Sequence, residues 1–278
     1  MVSAGTLYVV ATPLGNLGDL SDRARATLRR VAAVAAEDTR RARTLLQHAD
    51  AHPKLLSLHA HSPEARYRQV LAMLASGDEV AVITDAGTPT VSDPGAELVR
   101  RARAEGAGVV VIPGPSAVAA ALSVSGLGAD RYTFLGFVPR KGPERRDLLA
   151  SVARSPHTCV LFEAPTRLVT LLDDLAAGCG SDRPGAVARE LTKIHEEVRA
   201  GNLAELAGYY REHPPRGEVT VVVAGAPREP SAAVDECLVR DRARALLDDG
   251  VTRRDAATRL AAEFAIAKRD AYRIVTSL

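Results

Sequence analysis

The stretch DAGTPTVSDPG, Asp85–Gly95, sits between EVAVIT (Glu79–Thr84), which reads as a buried strand, and AELVRRARAEG (Ala96–Gly106), which reads as a helix. Strand-to-helix connections in α/β folds are usually short. This one holds two Asp, two Pro, two Gly, two Thr and one Ser. Turn chemistry at that density, placed at the end of a core strand, is the pattern of a ligand loop at the carboxyl edge of an open α/β sheet. Asp93 is expected to cap the helix that follows, with Pro94 and Gly95 beginning it.

The alternation extends outward from that loop. Apolar strands are expected at LYVVA (7–11), VAAVAA (31–36), LLSL (55–58), EVAVIT and GVVVIP (108–113), the last two being the strongest and GVVVI reading as buried. Helices are expected at SDRARATLRRV (with Ser21 as N-cap), TRRARTLLQH and PEARYRQVLAMLASG. Strands alternating with helices imply a parallel, helix-covered sheet over residues 1–126. After SGLGAD (125–130) the rhythm changes to strands at TFLGF, HTCVLFEA, GAVAREL, HEEVRAG and GEVTVVVAG, with three helices between them. GAVAREL and HEEVRAG are separated by so few residues that they should form an antiparallel hairpin. This second α/β domain spans 127–226. A Pro-rich linker, APREPS, leads to a helical tail over 235–278. There Gly250 is expected just past a helix end and Thr252 with Asp255 resembles a capping box. The last two helices have the rhythm of a helix-turn-helix.

The bulk properties exclude several classes. The chain has 278 residues, a net charge of +2 and 46% hydrophobic residues, values ordinary for a folded soluble protein. Its three cysteines, Cys159, Cys179 and Cys237, are far apart and form no CxxC, and no secretory leader is read, so a reducing cytoplasm is expected. The uncharged segment 106–129 is broken by Pro113-Gly114-Pro115 and reads as strand, turn and small-residue helix rather than a membrane span.

Five successive strand ends carry polar or backbone-exposing residues: TPLGNLGD (12–19), EDTR (37–40), HAHS (59–62), the opening loop and PGPSA (113–117). One such end is commonplace; five on one edge indicate a ligand crevice. Neither GxxxxGK[ST] nor GxGxxG after the first strand is present, so a nucleotidase or dinucleotide enzyme is not indicated.

ATPLGNLGDLS, AAEDTR, DAGTPTVSDPG, PGPSA, GFVPRK, FEAPTR and ARELTKIHEE occur in this order, and together they closely resemble the ribosomal RNA small subunit methyltransferase I family of the tetrapyrrole methylase superfamily. The resemblance covers residues 5–226 and, more weakly, the tail. It implies a two-domain tetrapyrrole-methylase-like α/β fold: a parallel Rossmann-like N-terminal sheet, a mixed second domain and a small helical C-terminal extension. It also implies S-adenosyl-L-methionine as cofactor, bound in a cleft between the domains. The expected reaction is methylation of a cytidine ribose 2′-oxygen in the decoding region of 16S ribosomal RNA, with the free RNA or the small ribosomal subunit as partner and a homodimer as the assembly.

Carried onto this chain, the resemblance places Pro13, Asp85, Gly87, Thr88, Val91, Ser116 and Ala117 along the cofactor, with Phe162, Glu190, Leu191 and Thr220 closing from the second domain. The chain departs from the family's pattern at Ala11, Ala60, Ser62 and Ala164-Pro165-Thr166, which weakens any catalytic role at 60, 62 and 166. Asp85, Glu163, Glu190, Lys193 and His59 are candidates for proton acceptor or activating cation, with Asp85, Glu190 and Lys193 foremost. Asp85 could equally fix its own loop, and Glu190 and Lys193 could lie on a solvated strand face. His59 and His61 could ligate metal, but no other ligand cluster accompanies them, and no metal is expected. For phosphate contacts the best cluster is Arg140, Lys141, Arg145 and Arg146; Arg23, Arg25, Arg29 and Arg30 on one helix, and Arg40, Arg41 and Arg43, are weaker. Two other readings stay open: a porphyrinoid methyltransferase, and a tail that reads nucleic acid or merely packs as a cap.

Overall fold

A computed structural model describes residues 4–59, 61–92, 95–227, 236–264 and 266–278. The chain divides into two compact units, Met1–Ala226 and Pro227–Leu278.

The first unit contains two five-stranded sheets. The N-terminal sheet is built from β1 (Thr6–Val10), β2 (Ala33–Ala36), β3 (Lys54–Ser57), β4 (Val80–Ile83) and β5 (Gly108–Ile112), all parallel, in the order β3-β2-β4-β1-β5. Its helices are α1 (Asp22–Arg30), α2 (Thr39–Ala49), α3 (Glu64–Ala75) and α4 (Ala96–Ala104). β2 is wholly buried, which explains how an Ala-rich run serves as a strand: flanking helices cover both faces and small side chains let them approach. Ser21 caps α1 by accepting a bond from the N–H of Ala24, and Asp38 caps α2 by accepting from Arg40 N. α4 has Gly95 at its N-cap, with φ of +118°; Asp93 and Pro94, expected to begin this helix, lie outside the described residues, as does Ala60.

β5 departs from the sequence reading. Its apolar run looks like a buried strand, yet it is the edge of the sheet, and Val111 is 57% exposed. Composition reports that a strand can be buried, and only topology decides whether a neighbour covers it.

The second sheet, in the order β6-β7-β10-β8-β9, is mixed. β6 (Tyr132–Phe137) and β7 (Thr158–Glu163) are parallel; β10 (Val219–Val223) runs antiparallel to both β7 and β8 (Pro184–Arg189); β8 and β9 (Glu197–Asn202) form the expected antiparallel hairpin. α6 (Pro143–Arg154), α7 (Leu168–Cys179) and α8 (Leu203–Glu212) cover one face through a Leu-rich core that includes Leu161, Leu171, Leu175 and Leu206. The other face is covered by α5 (Ala117–Val124), whose Val118, Ala121 and Leu122 pack on Val160, Ala186, Ala188 and Val222. The break expected at residue 126 therefore falls just after a helix that sides, by packing, with the second sheet.

The second unit contains α9 (Glu236–Asp248), α10 (Arg253–Glu263) and α11 (Lys268–Thr276) around Ala243, Leu246, Leu260 and Val275. Gly250 turns the chain after α9 with φ of +80°, and the Thr252 hydroxyl accepts a bond from Asp255 N. Most of the linker that precedes α9, residues 228–235, lies outside the described residues.

Candidate functional site: a cleft between two sheets

All five parallel strands of the first sheet end on one edge. In the second sheet the carboxyl ends of β7 and β8 meet the start of β10, because β10 is antiparallel to both: Val219 pairs with Glu163 and with Arg189. These edges bound two adjoining cavities of about 280 and 350 Å3.

The opening loop is the partition. Thr12 and Gly87 form a reciprocal backbone bridge, N to O at 2.8 and 3.1 Å, and the Thr12 hydroxyl donates to Thr84 O at 3.1 Å. The Thr88 hydroxyl donates to Pro115 O at 3.2 Å, tying the loop to PGPSA. Gly87 has φ of +83°, which suits glycine, but Thr90 and Ser92 also lie in the left-handed region at 74° and 61°. Each such non-glycine residue costs on the order of 1–3 kcal/mol, and strain of this kind gathers at functional loops.

Asp85 faces both cavities. Its Oδ1 accepts a bond from Asp38 N at 3.1 Å, and its Oδ2 lies 3.5 Å from Arg41 Nη1. Its charge reaches Glu37, whose carboxyl is pushed up first by burial and then by Asp85. Asp38 is held down to about 2 by the Arg40 guanidinium.

The first cavity takes in Asp85, Gly87, Thr88, Val91, Ser116, Ala117, Phe162 and Thr220, eight of the expected cofactor positions. Pro13 lies in the second cavity, with Lys193. Leu191 is half-buried and packs with Val118 and Phe162 in the apolar layer between α5 and the sheet. Glu190 departs from the expectation. Its carboxylate lies in neither cavity; it accepts from Lys193 Nζ at 2.8 Å and Glu218 N at 2.9 Å, in a residue whose own φ is +51°. Lys193 Nζ also donates to Glu218 at 3.1 Å. Burial alone would lower the Lys193 pKa, but its two carboxylates outweigh that and raise it, so Lys193 stays protonated and is a cation, not a base. Burial likewise opposes ionisation of Glu190, and Lys193 with the Glu218 N–H more than offsets it.

Three contacts join the halves across the cleft. Asn16 N donates to the Thr192 hydroxyl at 3.2 Å, the Lys193 stem lies on Gly15 so closely that any side chain there would overlap it, and Ser92 Oγ abuts Gly136, where an added Cβ would stand 3.0 Å away.

Several cleft residues escaped the sequence reading. Phe137 sits beyond a register shift in β6, reaches the first cavity and meets Phe162 edge-on at 5.3 Å; the Gly136 beside it, at φ of +67°, was the available signal. Glu218, in RGE, lies in both cavities. Arg41 also faces both, although it read as a phosphate contact.

The cationic clusters separate sharply. Arg140, Lys141 and Arg146 are exposed. Arg145, 11% exposed, is instead part of a buried network: it bonds Asp174 at 2.7 Å and Pro139 O at 3.1 Å, and lies 3.7 Å from Glu163. Glu163 is fully enclosed and also pairs with Arg167, which donates to Val138 O. On α1, Arg23 bonds Val111 O, Arg25 bonds His48 O, Arg29 bonds Ala49 O and Arg30 bonds Glu79, so that cluster is spent on the fold. His59 Nδ1 accepts from His61 N, and among the described residues no group of His, Cys, Asp and Glu could hold a metal ion.

This architecture has known counterparts. Residues 6–207 match the family model of the tetrapyrrole (corrin/porphyrin) methylases, and the chain belongs to that family. Among solved structures it is similar to a cobalt precorrin-4 methyltransferase (TM-score 0.60, 19% identity, 79% of this chain and 94% of that one). It is also similar to the uroporphyrin-III-C-methyltransferase of Thermus thermophilus (0.56, 23%, 78% and 94%). At those identities the likeness concerns the fold alone. In sequence it is 43% identical to the ribosomal RNA small subunit methyltransferase I of Synechocystis sp., over 99% of this chain and 98% of that protein. The protein of the same name from Xylella fastidiosa is 47% identical, over 98% of each.

Proposed function

We propose that the chain is an S-adenosylmethionine-dependent methyltransferase acting in the cytoplasm on the ribose 2′-oxygen of a cytidine in the decoding region of 16S ribosomal RNA. The observation that carries this reading is the pair of adjoining cavities with Asp85 on their common wall. The first fits the cofactor: Phe162, Phe137 and Val118 offer apolar faces to an adenine ring, while Ser116 offers polar groups to the amino-acid end. When bound, the cofactor supplies an electrophilic methyl group on a sulfonium. The second cavity takes the acceptor ribose. Asp85 accepts the hydroxyl proton, Lys193 supplies a fixed positive charge near the oxygen, and Glu190 and Glu218 hold Lys193 in place. Phosphate contacts fall to Arg140, Lys141 and Arg146, with Arg145 and Arg167 bracing the loop that carries the first two.

The test is transfer of labelled methyl from S-adenosylmethionine to purified small subunits, free 16S RNA and a porphyrinoid, with nucleoside mapping. Label as 2′-O-methylcytidine supports the reading; label only in the porphyrinoid overturns it.

The homodimer belongs to the same proposal and is supported by apolar residues left open along β5 and beyond it: Val110, Val111, Val124 and Tyr132. Val111→Asp is expected to convert the dimer to monomer, read as a halving of mass by light scattering; a dimer that survives it would move the interface elsewhere.

A further inference from the structure

A third cavity, of about 480 Å3, lies outside the cleft, between the end of β8 and the loop after α8. Its walls include Tyr209, His213, Pro214, Arg216 and His195. Nothing in the methyl-transfer machinery uses them. Arg199 stands 3.4 Å over the centre of the Tyr209 ring, and His213 stacks on the same ring at 4.4 Å and 15°. Two groups at that range cannot share a face, so both faces of Tyr209 are taken. His213, further fixed by Nδ1 on Tyr209 O at 3.1 Å, is exposed and ends the stack. The column Arg199–Tyr209–His213 is thus a rigid π ladder with one open rung. The acidic residues in this wall are already neutralised: Glu197 pairs with Arg189 and Arg199, and Glu190 with Lys193. Among the described residues Arg216 forms no ion pair.

One residue links this cavity to the cleft. Glu190 lines it, while the same carboxylate holds Lys193 of the second cleft cavity. Lys193 and His195 are two residues apart, at most about 7 Å along the chain. Between them Ile194 is 98% exposed on a loop braced by Lys193 N to Glu190 O, Glu196 N to Lys193 O and Thr192 N to Glu196. The braced loop holds this apolar side chain beside His195 of the cavity wall.

Resting on the RNA-methyltransferase reading above, we propose that this cavity is a second RNA subsite: it receives an unpaired base flanking the target nucleotide, which stacks on His213 while Arg216 meets the neighbouring phosphate and Ile194 contacts the sugar and base in between. Single-stranded bases are recognised by such stacking surfaces beside cations. Holding a neighbour outside the cleft keeps the target nucleotide splayed into it.

The test compares wild type, His213→Ala, His213→Phe and Arg216→Ala for binding to a single-stranded RNA of the decoding-region sequence, with S-adenosylhomocysteine affinity measured alongside. His213→Ala is expected to weaken RNA binding about tenfold. His213→Phe, which keeps a stacking face, should restore it, and cofactor affinity should stay unchanged throughout. Arg216→Ala should reduce the salt dependence of binding. Unchanged RNA affinity in His213→Ala, or equal loss in His213→Ala and His213→Phe, overturns the subsite while leaving the enzyme reading intact. Absence of RNA binding and methylation by the wild type overturns that reading itself.

Discussion

Asp85→Asn is expected to lower the rate of methyl transfer by about 10²–10⁴-fold, the range associated with loss of a positioned proton acceptor. The substitution keeps an oxygen for the Asp38 N–H and so preserves the loop, but it removes the charge that faces Arg41 and both cavities. The loss should fall on kcat, with cofactor affinity nearly intact, because a group that acts on the reacting proton contributes most in the transition state. A second readout follows from Glu37. Part of the upward push on its carboxyl comes from Asp85, so in the variant Glu37 should titrate closer to the ordinary range, visible by carbon NMR. Full activity in Asp85→Asn would assign Asp85 to loop anchoring only.

Glu163→Ala is expected to destabilise the first unit by about 3–5 kcal/mol, since removal of one member of a buried ion pair leaves an uncompensated charge behind. Here Arg167 is left without its carboxylate, in a place where Glu163 has no exposed side-chain surface, and Arg145 keeps only Asp174. Its Oε2 makes no hydrogen bond among the described residues, while Oε1 accepts from Ala164 N at 2.8 Å and pairs with Arg167. Both arginines also donate to the backbone of Val138–Pro139, so the damage should spread to the basic loop and weaken RNA binding. Urea denaturation measures the first effect. A change below about 1 kcal/mol, the size of an ordinary surface ion pair, would mean that water reaches the site and screens it.

What the sequence disclosed, and what it withheld, follows from which forces are local. The loops at strand ends were readable because Gly, Pro, Asp and Thr punctuate the chain in any context, and the caps at Ser21 and Thr252 depend on residues one turn away. The hairpin of β8 and β9 was readable from its short connection. β5 could not be judged, because an apolar strand says nothing about which edge of the sheet it takes. Where Glu190 points was not legible either: its motif marks a functional loop, but its carboxylate bonds Lys193 and Glu218 N and lines neither cleft cavity. Arg145 and Arg146 are adjacent on α6 and equal in charge, and what separates their roles is Glu163, eighteen residues on in β7, together with Asp174 on α7.

The two halves of the first unit meet at Gly15 and Gly136, positions with no side chain to keep them apart. Each is therefore a shim position. Alanine at Gly136 would press a methyl against Ser92 in the wall of the first cavity, and alanine at Gly15 would press one against the Lys193 stem in the second. The expected consequence is a shorter residence time for bound S-adenosylhomocysteine, measured by stopped-flow displacement. If product departure limits turnover, as it does in many enzymes with closing clefts, Gly136→Ala would turn over faster at saturating substrate while holding the cofactor less tightly, whereas Gly15→Ala, which displaces Lys193, would turn over more slowly.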